Sequence, residues 1–249
     1  MTKPTDKFMN KIICEDCIKV MNAMPEKSVD LVFADPPYNI GLKYDNHKDN
    51  MPYEEYVNWT EKWISACLRV LKDDGSIYIA IGDEYAAEVV SILKKKGLSM
   101  RNWIIWYYTF GQNQRKKFSR AHTHIVYFTK HANEFTFNVN SVRVRSIRQE
   151  IGDKRANPKG KIPDDVWKIS RVAGTFKERV KNFPCQMPLA LLERVIKASS
   201  NAGDIVLDPF IGSGTTAVAC KKLSREYIGI DISPNYVKNV ENRLKSMLG

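Results

Sequence analysis

Two adjacent prolines close the apolar run of DLVFADPPY (30–38), and that juncture limits what the chain can build. DLVFA reads as a strand of a parallel sheet, buried on both faces. It must end where it does, because neither Pro36 nor Pro37 offers an N–H to a ladder. KIIC (11–14), GSIYIAIG (75–82), DIVLDPF (204–210) and EYIGID (226–231) read as further strands. Between them lie a helical turn at 17–24 and helices at about 53–71, 84–97, 188–200, 215–223 and 235–248. This alternation is the signature of a doubly wound, mostly parallel α/β sheet. RNWIIWYYTF (101–110) and HTHIVYFTK (122–130) are expected to pair antiparallel around a polar loop at 111–121, and 39–52 reads as an exposed loop. Strands 30–34 and 204–208 are expected side by side, with Asp35 and Asp208 at one crevice.

Charge is distributed unevenly. The 249 residues carry 39 Lys and Arg against 28 Asp and Glu, a formal net charge of +11. Residues 101–181 hold 18 of those cations and only 6 of the anions, which leaves the remainder near neutral. A near-neutral body with one cationic segment is the footprint of a polyanion-binding face. Trp103, Tyr107, Phe118, Trp167 and Phe176 are interleaved with that charge and can stack on bases. Within the segment, 132–183 loses periodicity and reads as an inserted recognition region. It divides the chain into three parts, 1–131, the insert (132–183) and 184–249. The longest apolar run falls far short of the ~20 residues of a membrane span. Five cysteines without framework spacing, and no apolar leader at the N-terminus, fit a reduced, cytoplasmic protein.

DIVLDPFIGSGTTAV runs from strand through a glycine turn into a helix. Gly212 and Gly214 allow close backbone approach, and Ser213, Thr215 and Thr216 set hydroxyls beside helix N-terminal amides. Asp231 ends the next strand, where a ribose-binding carboxylate belongs, so the pair points to a nucleoside-containing ligand. No Walker lysine follows the glycines, which disfavours an ATP phosphate cradle. At the other crevice wall, Asp35 ends its strand while Pro36 and Pro37 expose a carbonyl and project Tyr38. An exocyclic amine of a nucleobase is a poor nucleophile, since its lone pair is delocalised into the ring. A carboxylate and a carbonyl accepting its two hydrogens favour a pyramidal nitrogen, and an aromatic ring can stack on the flipped base.

DPPY together with DPFIGSGTT resembles the amino-methylating DNA methyltransferases that use S-adenosylmethionine. DPPY, as opposed to SPPY, is similar to their adenine-N6 branch. The catalytic motif precedes the cofactor motif, as in the circularly permuted beta group. IICEDC, NFPCQMPLALLERVI and EYIGIDIS match in order, so the resemblance spans nearly the whole chain. It implies a Rossmann-like methyltransferase fold and a site-specific DNA adenine-N6 methyltransferase acting on double-stranded DNA. By resemblance, Asp35, Pro36, Pro37 and Tyr38 are the catalytic tetrapeptide. Asp208, Phe210, Gly212, Ser213, Gly214, Thr215 and Thr216 line the methionine end of the cofactor, Asp231 takes its ribose and Ile232 its adenine. Asp16 and Cys17 match the loop at that adenine, Asp35 borders the cofactor, and Phe183, Gln186 and Pro188 match the segment over it. Thr123 stands where many relatives carry Glu. DNA contacts are expected from 39–52 and the basic segment, with His122, Arg143, Arg145, Arg148, Lys159 and Lys161 as candidates. A bacterial or phage-type, nucleoid-associated setting follows, with a cognate restriction endonuclease and a homodimer as open partners. Cytosine-N4 methylation, an RNA substrate and a non-catalytic DNA-binding subunit are the rival readings. PCQ (184–186) resembles the nucleophilic tripeptide of cytosine-C5 enzymes, yet it precedes the cofactor glycines and no strand leads into it. CEDC (14–17) lacks a second pair, and His122 with His124 lacks a third ligand, so no metal is expected.

Overall fold

The computed structural model describes residues 5–46, 49–108, 114–180 and 183–247; the first four residues, Phe110 and 111–113 of the polar loop lie outside them. Among the described residues, eight strands form one sheet. These are β1 (Lys11–Cys14), β2 (Val29–Ala34), β3 (Leu71–Ile81), β4 (Ser99–Tyr107), β5 (His122–Thr129), β6 (Val166–Lys168), β7 (Ile205–Asp208) and β8 (Glu226–Asp231). Their order is β1-β8-β7-β2-β3-β5-β4-β6. Only β5 runs against its neighbours β3 and β4; the other pairs are parallel. Leu31 and Val32 of β2 lie opposite Val206 and Leu207 of β7, the expected neighbours. The chain leaves β2 toward β3 but leaves β7 toward β8. A crevice therefore opens outside the carboxyl ends of β2 and β7, where doubly wound sheets take ligands.

Side chains alternate along β2 and divide the core into two layers. Val32 and Ala34 pack with α1 (Cys17–Ala23), α2 (Tyr53–Val70) and α3 (Ala86–Lys95), through Met21, Trp63, Ile64 and Leu93. Two short helices, α4 (Val139–Val142) and α5 (Ile147–Glu150), follow in the chain. Leu31 and Phe33 face the opposite layer of α6 (Leu189–Ser199), α7 (Thr215–Lys222) and α8 (Pro234–Lys245), through Leu192, Val195, Ala219 and Val240. With both faces covered, β2 is apolar throughout its last four residues, which is why its sequence shows no alternation.

Two expectations need correction. Loop 39–52 is not simply exposed, because Asp49 within it is 3% exposed and organises the chain around itself. Trp167 is not an exposed stacking ring: it is buried, with the Arg194 guanidinium 4.9 Å from its centroid. The cause is β6, three residues inside the basic region that join the sheet edge beside β4. The Ile105 N–H donates to the Asp165 carbonyl at 2.8 Å, and the Ile169 N–H donates to Tyr107 at 3.2 Å. A strand that joins an edge must turn one side chain toward the layer below, and here it is Trp167.

Candidate active site

Asp35, Pro36, Pro37 and Tyr38 leave the end of β2 on the floor of a cavity of about 570 Å³. The Tyr38 hydroxyl donates to Asp35 Oδ1 at 2.8 Å. Burial pushes the Asp35 carboxyl up to about 7, opposed by that hydrogen bond and helped by the nearby charge of Asp208. The exit from the turn is clasped. Asn39 takes a left-handed φ of 58°, and its N–H donates to Asp49 Oδ1 at 2.7 Å. Ile40 and Leu42 donate their N–H groups to Asp49 Oδ2 at 3.1 and 2.9 Å. The Asn39 amide donates to the Met51 carbonyl and the Tyr85 hydroxyl, while the Tyr56 hydroxyl donates to the Pro37 carbonyl at 2.7 Å. Of the two proline carbonyls, Pro37's is therefore taken up by Tyr56.

On the β7–β8 side, Asp208 is 3% exposed and accepts from the Thr216 hydroxyl at 2.5 Å and the Phe210 N–H at 3.0 Å. Burial pushes it, too, up to about 7. Asp231 accepts from the Gly212 N–H at 3.1 Å and the Ser233 N–H at 2.9 Å, and burial raises its carboxyl. Gly212 has φ +48°, and a Cβ there would meet Phe183 at 2.7 Å. Asp16 caps α1 by accepting from the Lys19 N–H. Asp16, Cys17, Asp35, Phe183, Gln186, Asp208, Phe210, Gly212, Ser213, Thr215, Thr216, Asp231 and Ile232 all line the cavity. Gln186 does so with its amide already bonded to Val180 and Glu178. Pro188 and Gly214 stand behind the wall, opening α6 and α7; a Cβ on Gly214 would meet Val240 at 2.5 Å. Loop 39–46 reaches across to this side, where Asp45 accepts from the Ser233 hydroxyl at 2.6 Å and the Asn235 amide at 2.9 Å.

The β3–β5–β4 side holds what sequence reasoning missed. Trp106, Tyr108, Thr123 and Arg171 line the cavity. The sequence pointed to Trp103 and Tyr107 of β4 as stacking rings, but in the sheet these two face out while Trp106 and Tyr108 are buried toward the cavity. His122 lines the cavity, whereas Arg143, Arg145, Arg148, Lys159 and Lys161 do not. Arg143 donates to the Gly160 carbonyl, Arg148 lies 3.6 Å from Asp153, and Lys161 pairs with Asp164 at 2.5 Å. Asp83 joins His122 and His124 as the third polar group that the sequence did not reveal. The Trp103 indole donates to His124 Nδ1 at 2.9 Å, so the neutral ring carries its proton on Nε2, 3.3 Å from Asp83. Arg120 also occupies Asp83, at 2.9 Å. A histidine that binds metal through Nε2 carries its proton on Nδ1, so this cluster is arranged as a hydrogen-bond network around the Arg120–Asp83 ion pair. Cys185 is exposed at the cavity mouth near Asp35, and partial desolvation together with that carboxylate raises its thiol, which disfavours the nucleophilic thiolate. Burial pushes Cys17 up to about 12 while Cys14 is exposed, so CEDC forms no thiolate pair.

The cavity fits S-adenosylmethionine. Asp35 and Asp208 are enclosed carboxyls with no ion-pair partner among the described residues, and a cationic ligand would restore their ionised forms. Asp231 at the end of β8 offers acceptors for sugar hydroxyls, and the volume suits a nucleoside with an amino-acid tail. The DNA methylase family model, covering N6 and N4 methylases, matches residues 29–242. The chain is 43% identical over 237 residues to the Type II methyltransferase M.HpaI of Haemophilus parainfluenzae, covering 95% of this chain and 74% of that protein. It is 36% identical over 242 residues to the DNA adenine methyltransferase YhdJ of Escherichia coli (strain K12), covering 94% and 82%. The PvuII cytosine-N4-specific DNA methyltransferase shares the fold, with a TM-score of 0.73 at 20% identity, covering 93% of this chain and 85% of that one. A SAM complex of M1.HpyAVI aligns with a TM-score of 0.66 at 24% identity, covering 94% and 98%. A tetrapeptide ending β2, a glycine turn ending β7 and a family match spanning both lead to one conclusion: this chain belongs to the N6/N4 DNA methylases, enzymes that use S-adenosylmethionine.

Proposed function

We propose that the protein methylates the N6 amine of adenine within a specific DNA sequence. The observation that carries this reading is Asp35, set at the end of β2 with the Pro36 carbonyl next to it in the chain and a carboxyl that has no ion-pair partner among the described residues. S-adenosylmethionine, when bound, would supply a methyl group made electrophilic by the sulfonium, the S–C bond breaking to leave a neutral thioether as the N–C bond forms. Asp35 and the Pro36 carbonyl accept the two hydrogens of the target amine and hold its lone pair toward that methyl. The proton that the nitrogen loses passes to Asp35, whose raised affinity for protons suits a base working near neutrality. Tyr38 fills the acceptor position of Asp35 at rest, so its ring turns aside to admit and stack on the flipped base. Asp208, Asp231, Asp16 and Phe183 hold the cofactor side, and Cys185, protonated, takes no part as a nucleophile.

The adenine target is supported by DPPY and by the name of the E. coli relative, a DNA adenine methyltransferase. Type II names among the relatives support a place beside a cognate endonuclease, and a homodimer belongs to the same reading. Among the described residues, no helix is long and apolar enough to cross a membrane. The bacterial Type II relatives support the cytoplasm as the compartment. Nucleoside mass spectrometry of unmethylated genomic DNA incubated with enzyme and cofactor tests the target. N6-methyladenine is expected; N4-methylcytosine without it overturns the adenine reading.

A further inference from the structure

Arg171 is delivered to the cavity by a specific piece of construction. β6 pairs with β4, the Trp106 indole donates to the Ile169 carbonyl at 2.8 Å, and the chain then carries Arg171 over Tyr108. Its guanidinium lies 5.0 Å from the Tyr108 ring centroid. Tyr108 is fixed in turn, being 8% exposed with its hydroxyl donating to the His122 carbonyl at 3.0 Å. Arg171 makes no ion pair with a carboxylate among the described residues, unlike Arg120 and Lys161. A cation held in place at the cavity wall without a counter-ion is poised for an anionic ligand.

Strand order says which ligand. β7, β8 and β1 bring the glycine turn, Asp231 and Asp16 to one side of Asp35. β5 and β4 bring Thr123 and Trp106 to the other, and the chain just past β4 and β6 adds Tyr108 and, over it, Arg171. The anion that Arg171 meets therefore belongs to the methyl acceptor and not to the amino-acid tail of the methyl donor. We propose that Arg171 binds a backbone phosphate of the DNA strand next to the flipped nucleotide, with Tyr108 as the platform that fixes its guanidinium. This rests on the reading of the protein as a nucleic-acid methyltransferase but is independent of which base is modified.

The test compares wild type, Arg171→Ala and Arg171→Lys on unmethylated genomic DNA over a salt series, with cofactor affinity measured separately by calorimetry. Arg171→Ala is expected to raise the KM for DNA about 10-fold, the loss typical of one charge-assisted contact. It should also reduce the slope of log affinity against log salt by about 1. Arg171→Lys keeps the charge and should keep the slope, while cofactor affinity stays within twofold in both variants. An unchanged slope in Arg171→Ala, in protein whose thermal unfolding matches wild type, overturns the phosphate contact. A drop in cofactor affinity with DNA binding intact moves the anion to the methyl donor and overturns it as well. If wild type methylates cytosine or RNA instead, the adenine reading fails while the slope comparison still decides the role of Arg171, since every such acceptor carries phosphates.

Discussion

Asp35 ties the chemistry to a pH dependence. Its carboxyl is pushed up to about 7 from an ordinary 3.8, and Asp208 is moved likewise by burial. Between pH 4 and 7 the native protein thus holds protons that the unfolded chain has released. Cofactor-free stability therefore falls as pH rises through that window and levels off above 7. A cationic ligand favours the ionised carboxylates, so cofactor uptake at pH 6.5 should release protons. Calorimetry in buffers of differing ionisation enthalpy measures that release; no buffer dependence would remove the linkage. In its proposed role as base, Asp35 must be ionised in the free enzyme, so kcat/KM should rise with pH and level off above about 7. Asp35→Asn should lose at least about 10²-fold in rate and that acidic limb with it, while cofactor affinity changes by less than threefold. A variant with wild-type turnover would take Asp35 out of the mechanism.

Residues 39–42 with Asp49 and Met51 hold the turn after β2 in place. Asp49 is buried and accepts three backbone N–H groups of half-buried or exposed residues, and Tyr56 and Tyr85 brace the same turn. Removing the shared acceptor leaves those donors stranded, so Asp49→Ala should cost about 2–4 kcal/mol by urea unfolding. Because Asp49 touches the turn and not the cofactor-side residues, kcat should fall about 10-fold with cofactor affinity within twofold. Tyr56→Phe removes one bond from the Pro37 carbonyl and should cost about 1 kcal/mol. Equal losses of kcat and cofactor affinity in Asp49→Ala would show that the loop serves the whole cavity and not the turn.

Across the whole molecule, the basic segment 101–181 contains β4, β5 and β6, the strands on the side to which Arg171 also belongs. With about six phosphates engaged, DNA affinity should fall with salt at a log–log slope near −5. Lys161 already pairs with Asp164, whereas Lys159 has no ion pair among the described residues. Lys159→Gln should therefore reduce the slope by about 1, and Lys161→Gln by less, across all DNA sequences alike. Fluorescence anisotropy of a labelled duplex over a salt series measures both, and a wild-type slope near zero would detach the basic segment from DNA binding.

What the sequence determined by itself was whatever depends on near neighbours along the chain. The apolar run stopped by Pro36 and Pro37, the left-handed glycines of the turn after β7, and Asp231 closing β8 are local signals, and each lies where it was expected. Sheet neighbours β2 and β7 were legible because both motifs must meet at one crevice. Tertiary structure alone decided which distant groups share the cavity. Period-two alternation says that Trp103 and Trp106 face opposite ways, but only pairing with β5 and β6 fixes which one is inside. Asp49 looked like an exposed loop carboxylate, and its burial exists only because the N–H groups of 39, 40 and 42 close around it. Arg171 was one cation among many in a basic segment until β6 joined the sheet edge and set it over Tyr108. Such placements arise from long-range packing and desolvation, whose partners are separated by dozens of residues and leave no periodic trace in the chain.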